Sequence, residues 1–179
     1  MTLKKWKTLS RKEVFEHPRM HLVEDEAELP DGHVVKYLRH APAISHSVTI
    51  IAVNDTGELL LQREYSYPPD EVMWQLPGGS IERNESVIEA AGRELSEESG
   101  LVAGEYKIIG YYYVNNRRSD QKQYVVVGRM LSQNIKRGDQ EEFIESRWMP
   151  VAEVERKIRD GEFHNMNLLA SLNMWLHVR

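Results

Sequence analysis

The chain has 179 residues, enough for one domain with a substantial core and a small appendage. Its formal net charge of −5 argues against nucleic-acid binding, which needs a basic face. There is no cysteine, so disulfides and thiolate metal sites are excluded and a reducing, cytoplasmic setting is the expectation.

The N-terminal stretch is basic and lacks the apolar run of a secretory signal. Residues 1–44 read as a β-rich region, with strands over Met20–Leu29 and His33–Arg39 flanking the turn signal Pro30-Asp31-Gly32. No strand is assigned before Met20. A sheet this small buries little by itself, so it is expected to pack on the main domain or on a second subunit. Residues 45–179 form the second predicted region. Val48–Val53 is the longest apolar stretch; it is strand-sized, and no membrane span is expected. Asp55-Thr56-Gly57 turns the chain into a strand over Glu58–Arg63, with Leu59, Leu60 and Leu61 buried. Met73–Leu76 leads into a tight loop at Pro77-Gly78-Gly79, where absent side chains let backbone approach a ligand.

A helix is predicted over Glu85–Ser99, because Val87, Ala91 and Leu95 recur at four-residue spacing with Ile88 beside them. Asn84 is the expected N-cap and Gly100 the left-handed C-terminal residue. Tyr106–Val114 and Gln123–Met130 pair as a hairpin around the polar, basic connection 115–122, and Ser146–Met149 is a short last strand. Pro150 opens a helix to about Gly161 with Val151, Val154 and Ile158 inward. A final helix spans about Asn165–His177, its apolar face made by Leu168, Leu169, Leu172, Trp175 and Leu176. Mixed strands, a central helix and C-terminal helices give an α/β/α sandwich.

Glu94, Glu97 and Glu98 fall at i, i+3 and i+4 and share one helical face. They repel one another, and they sit toward the helix C-terminus, where the macrodipole disfavours anions. A solvated acidic face explains neither that placement nor the flanking glycines, whereas a bound divalent cation explains both. Close-set oxygen ligands suit Mg²⁺, with Mn²⁺ as a substitute. Such a cation neutralises phosphate charge and acidifies water, which is the chemistry of pyrophosphate cleavage.

Gly79, Glu85, Arg93, Glu94, Leu95, Glu97, Glu98, Gly100 and Leu101 fill every fixed position of G-x5-E-x7-R-E-U-x-E-E-x-G-U, where U is bulky and apolar. The stretch resembles the box of the Nudix hydrolases. The resemblance implies the Nudix α/β/α fold and metal-dependent hydrolysis of a nucleoside diphosphate linked to another group. It implies that Glu94, Glu97 and Glu98 surround the metal and that the backbone at Gly78 and Gly79 joins them. Arg93 and Glu85 then orient the carboxylates; alternatively Arg93 forms an ordinary surface ion pair.

Upstream of the box, the chain resembles the ADP-ribose and nucleotide-sugar pyrophosphatases. Glu64-Tyr65-Ser66-Tyr67-Pro68 stands where those enzymes often carry Gln-aromatic-Arg-aromatic-Pro, so Glu64 and Ser66 are departures. In that branch a comparable N-terminal sheet helps build a homodimer, which is the expectation here. Arg63 and Tyr67 are candidate substrate contacts. Arg117 and Arg118, with Lys122, either grip a phosphate or form a solvated hairpin tip. Tyr65, Tyr67, Tyr112 and Trp74 either stack a base or pack the sheet.

The leading function is Mg²⁺-dependent cleavage of ADP-ribose or a related nucleoside-diphosphate sugar, a small-molecule substrate. The alternatives are hydrolysis of dinucleoside polyphosphates or nucleoside triphosphates, and a non-catalytic nucleotide sensor on the same fold. The general base is either a glutamate of the box or one of Glu141 and Glu142, beside the Gly138-Asp139 turn. If it is one of the latter pair, its Glu→Gln change lowers kcat by about 10²–10⁴-fold with KM little altered. Steady-state kinetics on Glu141→Gln and Glu142→Gln checks this, and unchanged kcat in both returns the role to the box.

Overall fold

The computed structural model describes residues 3–43, 45–133 and 144–178. The chain divides into two compact units, residues 1–44 with 115–121, and residues 45–114 with 122–179.

The first unit is a three-stranded antiparallel sheet in the order β1 (Lys7–His17), β2 (Met20–Glu28), β3 (Val34–His40). The β2–β3 turn closes on Gly32 at φ 88°, a conformation only glycine adopts without strain. The first strand, unassigned from sequence, has two register shifts, between Thr8 and Ser10 and between Glu13 and Phe15. Each shift breaks the alternation that marks a strand, so Leu9, Val14 and Phe15 show no period of two.

Asp25 is buried in the middle of this sheet and held by Arg11 (Nε at 2.6 Å) and Arg39 (Nε at 2.7 Å). The Arg11 hydrogen bond, aided by Arg39, keeps the Asp25 carboxyl below its ordinary range against the cost of burial. Residues 115–121 pack into the same unit. The Tyr37 hydroxyl donates to the Arg117 carbonyl (2.5 Å), and the Arg118 guanidinium lies 5.2 Å from the Tyr37 ring centre.

The second unit contains β4 (Ser47–Ala52), β5 (Glu58–Ser66), β6 (Glu71–Gln75), β7 (Gly78–Ser80), α1 (Val87–Ser99), β8 (Leu101–Tyr113), β9 (Lys122–Gln133), β10 (Glu145–Pro150), α2 (Val151–Arg159) and α3 (Met166–Leu176). One sheet runs β7-β4-β9-β8 and the other β10-β5-β6. β4 and β9 are parallel and the other pairs antiparallel, which makes the sheet mixed.

Alternation along β4 and β9 supplies two cores. Val48, Ile50 and Ala52 with Val126 meet Ala90, Ala91 and Leu95 of α1. Ile51, Val125 and Val127 meet Val154 of α2 and Leu168, Leu172 and Trp175 of α3. In β5, Leu59 and Leu61 serve the second core and Leu60 the first. The architecture is therefore the α/β/α sandwich.

Several boundaries differ from the sequence expectation: β5 runs on to Ser66, β8 begins at Leu101 and β9 spans Lys122–Gln133, and three further differences bear on the site and the helices. Pro77-Gly78-Gly79 is not all loop, because Gly78 and Gly79 belong to β7 and pair with Thr49 and Val48. Pro150 is the N-cap of α2 rather than its first residue. Helix α1 begins at Val87, with Ser86 as N-cap in place of Asn84, which has left-handed φ 67°. Ser86 Oγ accepts from the Glu89 amide at 3.2 Å and the Glu89 carboxylate accepts from the Ser86 amide at 2.8 Å. This reciprocal capping box satisfies two amides that a helix start otherwise leaves exposed. Gly100 ends the helix at φ 68°, as expected.

Ser86→Ala is expected to cost about 1 kcal/mol, seen by calorimetry as a fall in Tm of about 2–4 °C for a chain of this size. Ser86→Thr, which keeps the capping hydroxyl, should recover most of the loss.

Candidate active site

The glutamates on α1 are organised by one side chain. Arg93 Nε and Nη2 donate to the two oxygens of Glu85 (2.9 and 3.0 Å), which is a bidentate fork. Nη1 donates to Glu94 (2.8 Å) and Glu97 (3.0 Å), and Nη2 also donates to the carbonyl of Ser80 (2.9 Å). The guanidinium thus ties the loop before α1, the helix itself and β7 together. Its proton affinity is raised, first by the Glu85 hydrogen bond, against the opposing effect of burial. In return, Arg93 holds the Glu85 carboxyl below its ordinary range, with the Glu82 amide (2.9 Å) assisting.

The paired strand sets the other wall. The Gly78 amide donates to Glu98 Oε2 at 3.2 Å. A Cβ on Gly79 would overlap the Glu94 carboxylate, and one on Gly78 (φ 157°) would strike the Val48 carbonyl oxygen. Glycine is therefore needed at Gly78 for close backbone approach and for its dihedral, and a side chain at Gly79 would displace the Glu94 carboxylate.

Glu85, Arg93, Glu94, Glu97, Glu98, Gly78 and Gly79 are thus brought together. Among the described residues no three His, Cys, Asp or Glu side chains converge on a common point as a finished metal cage does. The donor set nevertheless fits a hard divalent cation. Three carboxylates on one turn lie beside backbone that carries no side chain, in a cradle that a Cβ at Gly79 would fill.

The remaining candidates make contacts of their own. Arg63 lies over the Trp74 ring (5.4 Å) and 3.8 Å from Glu145, and Tyr67 is 83% exposed. Tyr65 donates to Asp70 (2.8 Å), and Trp74 packs against the α2/α3 core. Arg117 and Arg118 belong to the N-terminal unit, where Arg118 Nη1 donates to the Leu38 carbonyl (3.1 Å). Lys122 Nζ sits 4.5 Å from the Tyr111 ring centre. Tyr112 points to the α3 side, bonded to Asn167 (3.2 Å), and burial raises its phenol pKa. Glu141 and Glu142 lie outside the described residues.

Sequence reasoning missed Ser80, whose role is a carbonyl contact invisible in residue type. It also missed Thr49, Gln75, Gln123 and Asn167, polar side chains beside Gly78 and Gly79.

Comparison with known proteins bears on the same residues. The NUDIX domain family matches residues 45–171, and the nucleoside diphosphate sugar hydrolase N-terminal domain matches residues 6–37. An ADP-ribose pyrophosphatase of Bacillus subtilis (strain 168) is 24% identical over 163 residues, covering 89% of this chain and 86% of that protein. The ADP compounds hydrolase NudE of Escherichia coli (strain K12) is 29% identical over 174 residues, covering 94% and 92%. A crystal structure of an ADP compounds hydrolase superposes with a TM-score of 0.90 at 25% identity, covering 99% of this chain and 95% of that one.

Arg93→Lys keeps the charge and loses the fork, so kcat/KM is expected to fall about 10–100-fold. The Glu85 pair also makes a pH signature. A depressed folded-state carboxyl adds stability above the ordinary glutamate range, and that stability is lost as pH falls through the folded value. Urea unfolding at neutral and at acid pH should therefore show a smaller acid loss in Arg93→Met than in the parent. An equal loss would contradict the role given to this pair.

Proposed function

The chain belongs to the Nudix family as a Nudix hydrolase, and from that premise we propose that it cleaves the pyrophosphate of ADP-ribose or a related nucleoside-diphosphate sugar, with Mg²⁺. The products are a nucleoside monophosphate and a sugar phosphate. The observation that carries this reading is the succession in one chain of two matched regions. A nucleoside diphosphate sugar hydrolase N-terminal domain precedes a NUDIX domain whose acidic helix is complete. The names of the similar proteins support the same substrate class.

Nudix hydrolases generally use a divalent metal. In this reading Glu94, Glu97 and Glu98 hold it, with the backbone at Gly78 and Gly79 adjoining. When bound, the cation neutralises phosphate charge and makes water a better nucleophile. Arg93 fixes Glu94 and Glu97 in place and is itself fixed by Glu85 and Ser80. Water attacks one phosphorus, the bridging P–O bond breaks, and the leaving phosphate keeps the electron pair. The water's proton goes to a glutamate of the box or to one of Glu141 and Glu142. The protein acts as a cytoplasmic homodimer whose N-terminal sheet contributes to the interface.

Incubation with ADP-ribose, other nucleotide sugars, dinucleoside polyphosphates and nucleoside triphosphates in Mg²⁺ tests this. ADP-ribose should yield AMP and ribose 5-phosphate, and Glu98→Gln should slow that by about a hundredfold or more, as losing one electrostatic anchor in an active site does. Preference for polyphosphates would move the substrate class, and tight ADP-ribose binding without cleavage would make the protein a sensor. Sedimentation at micromolar concentration should give a dimer, and a monomer there contradicts the assembly.

A further inference from the structure

A cleft of about 200 Å³ opens against Gly78 and Gly79 in the second unit. Its wall is made by Thr49, Gln75, Ser80, Gln123, Asn165 and Asn167. Among the described residues no charged side chain and no aromatic ring lines it. Its size is below the roughly 300 Å³ at which pockets begin to take a whole drug-sized ligand, so it suits one portion of a larger molecule.

The polar groups are built in rather than incidental. Thr49 is 4% exposed and Gln123 is 7% exposed, and the Gln123 amide donates to the Thr49 hydroxyl at 2.7 Å. Gln75 Nε2 donates to Glu64 at 2.6 Å, which fixes its amide plane. Asn165 caps α3 by accepting from the Leu168 amide at 3.1 Å. Asn167 is steadied by the Tyr112 hydroxyl at 3.2 Å, with Ser171 Oγ 3.4 Å from the same hydroxyl. Thr49 and Gln123 are buried and Gln75, Asn165 and Asn167 half-buried, so these bonds hold a set of neutral donors and acceptors in fixed positions along an open cleft.

The chemistry of the wall selects among the parts of a nucleoside-diphosphate sugar. A phosphate calls for cationic side chains, and none lines the cleft. A nucleobase calls for an aromatic or flat apolar surface to stack on, and there is none. A sugar ring presents vicinal hydroxyls, each both donor and acceptor, which match carboxamides and hydroxyls group for group. We propose that this amide-lined cleft seats the sugar of the leaving sugar phosphate, and that Gln123 and Asn167 determine specificity for it. The proposal rests on the nucleoside-diphosphate-sugar reading above. Gly78 and Gly79 line the cleft and the Gly78 amide meets Glu98, so the cleft and the acidic site adjoin along the same short strand.

The test compares ADP-ribose with the β-methyl ester of ADP, which keeps the pyrophosphate and lacks the second sugar, in the parent, Gln123→Leu and Asn167→Ala. The ratio of kcat/KM for the two substrates should fall about tenfold in each variant, equivalent to about 1.4 kcal/mol, carried mainly by KM. A merely structural role would lower both substrates together and leave the ratio unchanged, which would overturn the proposal. Calorimetric titration with ribose 5-phosphate separates the two failures. If the parent cleaves neither substrate, the functional reading has failed, yet ribose 5-phosphate binding weakened in both variants would still uphold the cleft. Absent binding, or binding equal in all three proteins, overturns it.

Discussion

One guanidinium holds the acidic site together. Arg93 makes five hydrogen bonds, to Glu85, Glu94, Glu97 and the Ser80 carbonyl, across three pieces of chain. The helix alone would disfavour its glutamates, which repel one another near the negative end of the macrodipole, with no basic residue in the last turn. Arginine answers this better than lysine, because its planar fork meets Glu85 with two parallel bonds and still has donors for the others. Removing Arg93 leaves charge close together without its counter-ion, so its role is electrostatic as much as geometric.

The rest of the second unit serves to bring β7 and α1 into register. β7 is three residues long and, among the described residues, pairs only with β4, so its position depends on Val48 and Thr49 opposite. Val48 faces α1 and Thr49 faces the other way, into the amide cleft. The same short strand pair therefore carries the acidic site on one side and neutral hydrogen-bonding groups on the other. The capping box at Ser86 and the left-handed Gly100 fix both ends of α1, and with them which glutamates share a turn.

The acidic site was legible because its residues lie within one helix and its approach, where spacing alone decides neighbours. The sandwich was legible because β4, β5 and α3 carry long apolar patterns. What was not legible depended on contacts distant in sequence or on broken periods. Asn84 and Ser86 are both capping types, and the decisive signal was Glu89 three residues beyond Ser86. β1 was hidden by its two bulges. The basic run at Arg117 and Arg118 finds its partners at Leu38 and Tyr37, eighty residues away, and nothing local announces them. Tyr112 shows how sharply a strand divides its faces. It turns toward α3, while Tyr111 and Tyr124 pack ring against ring at 5.7 Å.

The proposed role of Glu94 and Glu97, held by Arg93, and of Glu98, held by the Gly78 amide, is to bind a divalent cation. Titration of Mn²⁺ followed by its electron paramagnetic resonance signal measures this without reference to any substrate. Saturable binding to the parent protein is expected, competed by Mg²⁺ and weakened in both Glu97→Gln and Glu98→Gln. Equal binding by the parent and both variants would contradict it.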